Sequence, residues 1–194
     1  MHQTGIIISI RQAQPQDAEE IWALFHEVIE EGDSYLLDEN TTEEEGLEYW
    51  LGEGTTTYVA VDTENRVVGA YVMRRNQVGR GSHIANASYM VATECRGEGI
   101  GRALCADSIA EAQRQGYRGI IFNCVVATNV RAVEAWRMMG FEIVGMVPEA
   151  FNHKEKGYVN AFIMYKALDA LEGMSEIERI EERNQWLDFA PDSA

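Results

Sequence analysis

The stretch Arg96-Gly97-Glu98-Gly99-Ile100-Gly101-Arg102 lies between a predicted strand and a predicted helix. Glycine has no Cβ, so glycines at alternate positions let the backbone bend sharply and approach a ligand closely. The first amides of the following helix have no intrahelical acceptors and favour an anion. The stretch therefore indicates a phosphate-binding turn, with a tight connection that binds nothing as the alternative. It is not a dinucleotide-binding fingerprint, because the third glycine of that motif is missing. It is not a P-loop either, because no Lys-Ser/Thr pair follows.

The charge of the chain is unevenly distributed around this turn. Residues 66–137 carry ten basic and five acidic side chains, whereas residues 1–65 carry sixteen acidic side chains and Arg11 as their one basic residue. A basic segment inside a protein of net charge −16 favours a small polyanionic ligand there. The acidic first third would favour a cationic or amine-bearing partner nearby. The same net charge disfavours nucleic acids and anionic membranes as partners.

The composition predicts one compact domain, because 46% of the 194 residues are hydrophobic and 25% are charged. Residues 1–168 would form this domain, and the acidic residues 169–194 would add a helical appendage. No apolar run approaches the ~20 residues of a membrane span, and residues 5–10 are too short for a signal peptide, so we expect a cytoplasmic protein. Cys95, Cys105 and Cys124 lack C-x-x-C spacing, which predicts reduced thiols and no metal site.

Hydrophobic periodicity predicts the element order β-α-α-β-β-β-α-β-α-β-β, a mixed α/β structure. The strands would cover residues 5–13, 55–61, 67–75, 83–92, 119–126, 141–147 and 158–166, and the helices would begin near residues 17, 43, 99 and 129. The second helix would follow Thr42 and bury Leu47, Trp50 and Leu51. The nearly continuous apolar run 119–126 predicts a strand in the middle of the sheet, buried on both faces.

Two motifs carry a resemblance to a known family. They are Val91-x-x-x-x-Arg96-x-x-Gly99-x-Gly101 and Asn129-x-x-Ala132-x-x-x-Trp136-x-x-x-Gly140-Phe141. Together with the element order over residues 5–168, they resemble the GNAT superfamily of acyl-CoA-dependent N-acetyltransferases. The resemblance implies a mostly antiparallel sheet with helices on both faces, in which the fourth and fifth strands splay apart. It also implies acetyl-CoA as co-substrate and a possible homodimer.

The resemblance further implies where the coenzyme would bind. Backbone amides of residues 96–102 would hold the pyrophosphate, the edge of strand 89–91 would pair with pantetheine, and Asn129 would contact the pantetheine arm. The implied coenzyme residues are Met90, Val91, Arg96, Gly97, Glu98, Gly99, Ile100, Gly101, Arg102 and Asn129. Splayed strands would also expose main-chain donors that polarise the thioester carbonyl.

Asn86 and Asn123 occupy predicted strands, where asparagine is disfavoured. A buried amide without partners costs on the order of 1–3 kcal/mol, so something must satisfy them. They either pair with backbone groups left open where strands diverge, or line the acceptor pocket and orient a carboxylate or amine. The surrounding sequence is similar to yeast-type acetyltransferases acting on azetidine-2-carboxylate and related proline analogues, in which such asparagines are thought to hold the acceptor.

The general acid is left open by the sequence. Many members of the resembling family have a tyrosine that protonates the departing thiolate, but Trp136 stands at that position and indole cannot be this acid. Tyr89 or Tyr158 would substitute, or water would, because a thiolate leaves with modest help near neutral pH.

The general base is equally open, with Glu30, Glu31, His153 or a water relay as candidates. Cys124, in an apolar strand, is interpreted as an inert hydrophobe rather than a nucleophile. We therefore predict direct acetyl transfer to the amine of a small molecule, such as an amino acid, a proline analogue or another amine.

The predicted catalytic and acceptor residues are Asn86, Asn123 and Tyr89. Two alternatives stay open. If the acceptor were the N-terminus or a lysine of another protein, the enzyme would need an open groove beside strand 141–147. A non-catalytic acyl-CoA sensor would explain why Trp136 replaces the expected acid.

Overall fold

A computed structural model describes residues 6–168 of the chain. Within this range the strands are β1 (Ser9–Gln12), β2 (Thr55–Val61), β3 (Val67–Arg75), β4 (Ile84–Val91), β5 (Gly119–Val126), β6 (Glu142–His153) and β7 (Gly157–Ala167). The helices are α1 (Ala18–Glu31), α2 (Glu43–Leu51), α3 (Ile100–Arg114) and α4 (Val130–Met138). The predicted element order is confirmed. The predicted appendage 169–194 lies outside the described residues.

The strands form one seven-stranded sheet in the order β1-β2-β3-β4-β5-β7-β6. All neighbouring strands are antiparallel except β4 and β5, which run parallel. This parallel pair is registered only from Ile84↔Gly119 to Asn86↔Ile121, after which the two strands diverge. The predicted splay is confirmed, and it leaves a gap toward the C-terminal ends of β4 and β5.

Helices cover both faces of the sheet, as consecutive residues of β4 demonstrate. Side chains alternate between the faces of a strand, so Ser88 and Tyr89 point in opposite directions. The hydroxyl of Ser88 is 2.7 Å from that of Tyr49 in α2, whereas the hydroxyl of Tyr89 is 2.7 Å from that of Ser108 in α3. The sheet is therefore the middle layer of three, with the gap reachable from the α2 side.

Helix α2 begins where its capping residue predicts. Thr42 accepts a hydrogen bond from the Glu45 amide, and the Glu45 carboxylate accepts one from the Thr42 amide, which forms a capping box. Trp50 is fully buried, as expected, but Leu51 is 38% exposed. The expectation that Leu51 is buried is wrong, because Trp50 occupies the buried face at the end of the helix and the next residue, Leu51, points about 100° away from it.

Two strands differ from their predicted form. Strand β5 is not buried on both faces along its length, because Asn123 is exposed and Cys124 is half-buried beside the gap. Its register with β7 is also interrupted between Phe122 and Val125. Strand β6 continues to His153, beyond the predicted end at residue 147, because it keeps pairing with β7 across a second irregularity.

An ion pair links the first strand to the start of α1. The Arg11 guanidinium donates to both carboxylate oxygens of Asp17, at 2.7 and 2.8 Å, and the Gln14 amide donates to the same carboxylate at 2.7 Å. Asp17 is buried, and these bonds, led by that from Arg11, hold the pKa of its carboxyl below the ordinary value. A bidentate pair of this kind fixes the angle at which the chain enters the helix.

Candidate active site

The glycine stretch forms an anion cradle at the start of α3. Gly97 and Gly99 have φ of +90° and +85°, a left-handed conformation that other residues rarely adopt. The amide of Ala103 is bonded to the Gly99 carbonyl at 3.0 Å, which leaves the three amides of residues 100–102 without intrahelical acceptors. These amides and the positive end of the helix dipole favour an anion at this point.

Two of the seven predicted amide donors already have partners in the turn. The Arg96 amide is 3.3 Å from the Thr93 carbonyl, and the Glu98 amide is 3.5 Å from the Cys95 carbonyl. The Arg96 side chain instead donates to the carboxylate of Glu31 at 2.8 Å. Glu31, a candidate base, therefore lies at the glycine turn and connects the end of α1 to it.

The backbone of β4 presents alternate peptide groups to the gap. The bonds at the two ends of the β3–β4 pair involve Ile84 and Ala92. Bonded positions alternate along an antiparallel strand, so the even-numbered residues of β4 bond to β3. The peptide groups of Tyr89 and Val91 consequently point toward the gap, whereas those of Met90 face β3. Of the implied coenzyme residues in this strand, Val91 lies on the gap and Met90 does not.

A hydrogen bond from the segment between α1 and α2 reaches the same strand. The hydroxyl of Tyr35 donates to the Tyr89 carbonyl at 2.7 Å. Burial raises the pKa of Tyr35 well above its ordinary value, so this hydroxyl stays protonated and remains a donor. One of the backbone acceptors on the gap is thereby occupied.

One pocket of about 380 Å³ runs through the gap between β4 and β5. It is lined by residues from both sides of the sheet. They are Ser34, Tyr35, Leu36, Leu37, Tyr49, Asn86, Ala87, Ser88, Tyr89, Phe122, Asn123, Cys124, Val125, Val126, Asn129, Ala132 and Trp136. The pocket therefore joins Asn129 and Trp136, from the second sequence motif, to the two strand asparagines.

The structure brings the predicted asparagines together, each with a partner. The Asn86 amide donates to the Ile121 carbonyl at 2.9 Å, where β4 and β5 separate. The Asn123 amide donates to the side-chain oxygen of Asn76 at 2.7 Å. Asn129 caps α4, because its side-chain oxygen accepts from the Ala132 amide at 3.1 Å. The partner bonds fix the orientation of these amides, and their remaining polar atoms border the pocket.

The two tyrosine candidates for the general acid lie in different surroundings. The ring of Tyr89 lies 4.8 Å from that of Trp136, but its hydroxyl bonds to Ser108 beneath the sheet. Burial raises the pKa of Tyr89 well above its ordinary value, which makes it a weaker acid. Tyr158 is 71% exposed at the start of β7 and does not line the pocket.

The candidate bases His153 and Glu30 do not line the pocket, whereas the thiol of Cys124 does. His153 is buried, and its Nδ1 accepts from the Glu155 amide at 3.1 Å. Glu30 is exposed, and its carbonyl accepts from Lys154 at 2.6 Å. Cys124 does line the pocket, and burial raises the pKa of its thiol. Proton transfer to or from solvent by water is compatible with this arrangement.

Sequence reasoning did not identify several residues of the site. Tyr35, Tyr49 and Ser88 line the pocket but belong to no motif. Tyr35 and Tyr49 reach β4, where they bond to the Tyr89 carbonyl and the Ser88 hydroxyl, only when the segments before and within α2 fold onto that strand. The signal in the sequence is limited to aromatic residues near the predicted second helix, which by themselves are typical of a core.

The described residues contain no group of three or more His, Cys, Asp or Glu side chains that could hold a metal ion. Over the same range, no helix is long and apolar enough to cross a membrane.

Comparisons with known proteins agree with a fold built around a splayed strand pair and a glycine turn. The sequence model of the acetyltransferase (GNAT) family matches residues 18–141. The N-acetyltransferase aca1 of Schizosaccharomyces pombe is 30% identical over 160 residues, which cover 74% of this chain and 77% of the relative. The chain belongs to the GNAT family, and it is an acyltransferase enzyme.

Solved structures share the architecture. A GCN5-related N-acetyltransferase from Kribbella flavida superposes with a TM-score of 0.79 at 42% identity, covering 83% of this chain and 98% of the other. A GNAT-superfamily phosphinothricin acetyltransferase from Sinorhizobium meliloti, in complex with AcCoA, gives a TM-score of 0.74 at 21% identity, covering 83% and 88%. The latter similarity concerns the fold alone.

Proposed function

We propose that this enzyme transfers the acetyl group of acetyl-CoA to the amine of a small molecule by direct attack. The observation that carries the proposal is the pocket in the β4–β5 gap that joins Asn129 and Trp136 to a chamber bordered by Asn86 and Asn123. The AcCoA complex of the S. meliloti protein, which has the same fold, supports the choice of coenzyme.

The residues of the chain would divide the work by position. Amides of Gly97, Gly99 and residues 100–102 would hold the diphosphate, and the Tyr89 amide and the Val91 peptide groups would pair with the pantetheine arm. The thioester supplies the acetyl group. A C–N bond forms as the C–S bond breaks, the amine loses one proton, and the thiolate gains one through water. Positioning and backbone donors would supply most of the rate, because no conspicuous acid–base pair borders the pocket.

A thiol-release assay tests this function. Purified protein with acetyl-CoA and a panel of amino acids, proline analogues and polyamines should release free CoA in proportion to acetylated product. If CoA binds tightly but no acceptor gives product, the protein is an acyl-CoA sensor. If peptides with free N-termini or lysines are the better acceptors, the substrate is a protein.

The small-molecule acceptor is favoured over a protein by the residues that cover the chamber. Ser34, Tyr35, Leu36 and Leu37 all line the pocket, which limits the space available to a polypeptide. Replacing Asn123 with Leu should raise the acceptor KM by about tenfold, since one hydrogen bond to a polar group is worth about 1 kcal/mol or more. The Kd for CoA should change less than twofold. An equal loss of both affinities would contradict an acceptor role for Asn123.

We also propose that the enzyme is a homodimer that pairs through β6. This strand is an edge of the sheet, and Val144 and Met146 are 57% and 52% exposed. Exposed apolar residues on an edge strand mark an association surface. Sedimentation equilibrium should give a dimer, and Val144→Glu with Met146→Glu should convert it to a monomer. A monomeric parent protein at micromolar concentration would contradict the proposal.

A further inference from the structure

The chamber at the acceptor end of the pocket contains no formal charge. None of the seventeen residues that line the whole pocket, all within 6–168, is Asp, Glu, Lys, Arg or His. This is unexpected for a chain of net charge −16 whose first third is acidic. A diamine or another purely cationic acceptor would find no carboxylate to balance its second charge. The acidic side chains of the first third therefore do not line this pocket.

A cation, Arg74 in β3, contacts the pocket residue Tyr49 without lining the pocket itself. Its register partner across the β3–β4 pair is Asn86, so both side chains lie on the face that carries the chamber. The guanidinium carbon is 4.2 Å from the centroid of the Tyr49 ring, and one Nη donates to the Tyr49 carbonyl at 3.2 Å. Tyr49 itself lines the chamber, and its hydroxyl is 2.7 Å from that of Ser88.

Arg74 has unused hydrogen-bonding capacity and no countercharge. Among residues 6–168, no Asp or Glu oxygen lies within 4.0 Å of its guanidinium nitrogens. Its Nε is buried and has no hydrogen-bond partner. Proteins rarely leave a charged donor buried and unsatisfied, because neither water nor an acceptor then compensates its desolvation. An anion in the pocket beside Tyr49 would balance the positive charge of the guanidinium through space, without a direct hydrogen bond to Nε.

We propose that the acceptor is an amine that also carries a carboxylate, an amino or imino acid, and that Arg74 determines this specificity. The inference rests on the proposed acetyltransferase function. The positive charge of Arg74 attracts the carboxylate to the α2 side of the chamber, where the Tyr49 and Ser88 hydroxyls and the Asn86 amide offer neutral donors. The amine of the same molecule then faces the gap, where the thioester would lie.

A comparison of acids with their amides isolates the carboxylate. We would measure kcat/KM of the wild-type enzyme for the common L-amino acids, for L-azetidine-2-carboxylate, and for the matching carboxamides. The expected result is a preference of at least about tenfold for the acid form of the best acceptor. The amine of an amide is more readily deprotonated than that of the acid, so amine reactivity alone would produce the opposite order.

Substitution then assigns the preference to Arg74. Arg74→Gln should lower kcat/KM for the acid by about 10- to 100-fold, mostly through KM, and change that for the amide less than threefold. Arg74→Lys, which keeps the charge, should restore part of the preference. Arg75→Gln is the matched control, because Arg75 is exposed and its side chain points to the opposite face of the sheet.

Several results would overturn the proposal, and each is distinguishable from failure of the proposed function. Equal losses for acid and amide in Arg74→Gln would assign Arg74 a structural role through Tyr49. Equal use of acids and amides by the wild type would overturn it without any variant, even if Arg74→Gln fails to fold. If no acceptor is acetylated, calorimetric titration of the CoA-bound wild type with the same acids and their carboxamides tests whether the site recognises a carboxylate. Binding of an acid but not its amide would support the site, and binding of neither would reject it.

Discussion

The hydroxyl of Tyr35 donates a hydrogen bond to the carbonyl of Tyr89 across 2.7 Å, although the two residues are 54 positions apart in the chain. Tyr35 belongs to the segment that covers the acceptor chamber, and Tyr89 belongs to the strand that borders the gap. The aromatic rings of Phe25 and Trp50 surround Tyr35 at centroid distances of 5.1 and 6.4 Å. This single bond therefore ties the cover of the chamber to the strand expected to hold the coenzyme.

Replacing Tyr35 with Phe should loosen that cover. The ring packing would remain, but the Tyr89 carbonyl would lose its partner, which costs about 1–2 kcal/mol in the free energy of unfolding. Acceptor KM should rise several-fold, whereas the Kd for CoA should change little. Urea denaturation and steady-state kinetics measure both effects. Tyr158→Phe is the control, since Tyr158 is 71% exposed, and an identical effect of the two variants would contradict the assigned role.

Gly101→Asp tests the anion cradle with little risk to the fold. Gly101 does not have a positive φ, and a Cβ there would meet its nearest atom, Val91 Cγ2, at an ordinary 3.7 Å. An acidic residue in the first turn of a helix is favourable in itself, so the melting temperature should change by only a few degrees. Coenzyme affinity should fall about 100-fold or more, because the carboxylate would occupy the place of the diphosphate.

The matched control for this variant is Ala106→Asp, which adds the same charge to an exposed position of α3. It should bind CoA as the wild type does. Gly99→Asp would be harder to interpret, because Gly99 has a φ of +85° and a side chain there would also strain the backbone. If calorimetry gives the Gly101→Asp protein an unchanged Kd for CoA, the diphosphate binds elsewhere.

The element order and the glycine turn could be predicted because both depend on local sequence. Apolar spacing places α1, and positive φ at Gly97 and Gly99 requires residues that the sequence displays directly. The acceptor end of the pocket could not be predicted in the same way. The contacts of Arg74 with Tyr49, and of Tyr49 with Ser88, join residues 25 and 39 positions apart, and nothing in the local pattern specifies them.

The full length of β6 could not be predicted from the sequence either. The strand continues past Pro148 and Glu149, residues that normally end a strand, because pairing with β7 resumes at Phe151. Glu149 adopts a φ of +52° within this irregularity. Tertiary pairing thus overrides a local signal that favours a turn.

The Arg11–Asp17 pair should make stability depend on pH in the acid range. Because the pKa of Asp17 is lowered in the folded state, its contribution is complete above the ordinary pKa of about 3.9 and disappears as the pH falls through the lowered value. A double-mutant cycle with Arg11→Gln and Asp17→Asn should give a coupling of about 1–2 kcal/mol at pH 7. The coupling should decrease as the pH falls through the lowered pKa of Asp17 and the carboxylate becomes protonated. A coupling that is independent of pH would contradict an ionic pair.

Cys124 provides the sharpest distinction between direct attack and a covalent acetyl-enzyme, because its thiol lines the pocket. Burial raises the pKa of this thiol, so little thiolate is present near neutral pH, and the thiolate is the nucleophilic form. Cys124→Ala should therefore retain kcat within about threefold, as expected for a residue without a covalent role. Intersecting initial-velocity lines and an unchanged mass after incubation with acetyl-CoA alone would agree with direct transfer. Parallel lines, together with an acetyl adduct on Cys124, would instead require two successive transfers through the thiol.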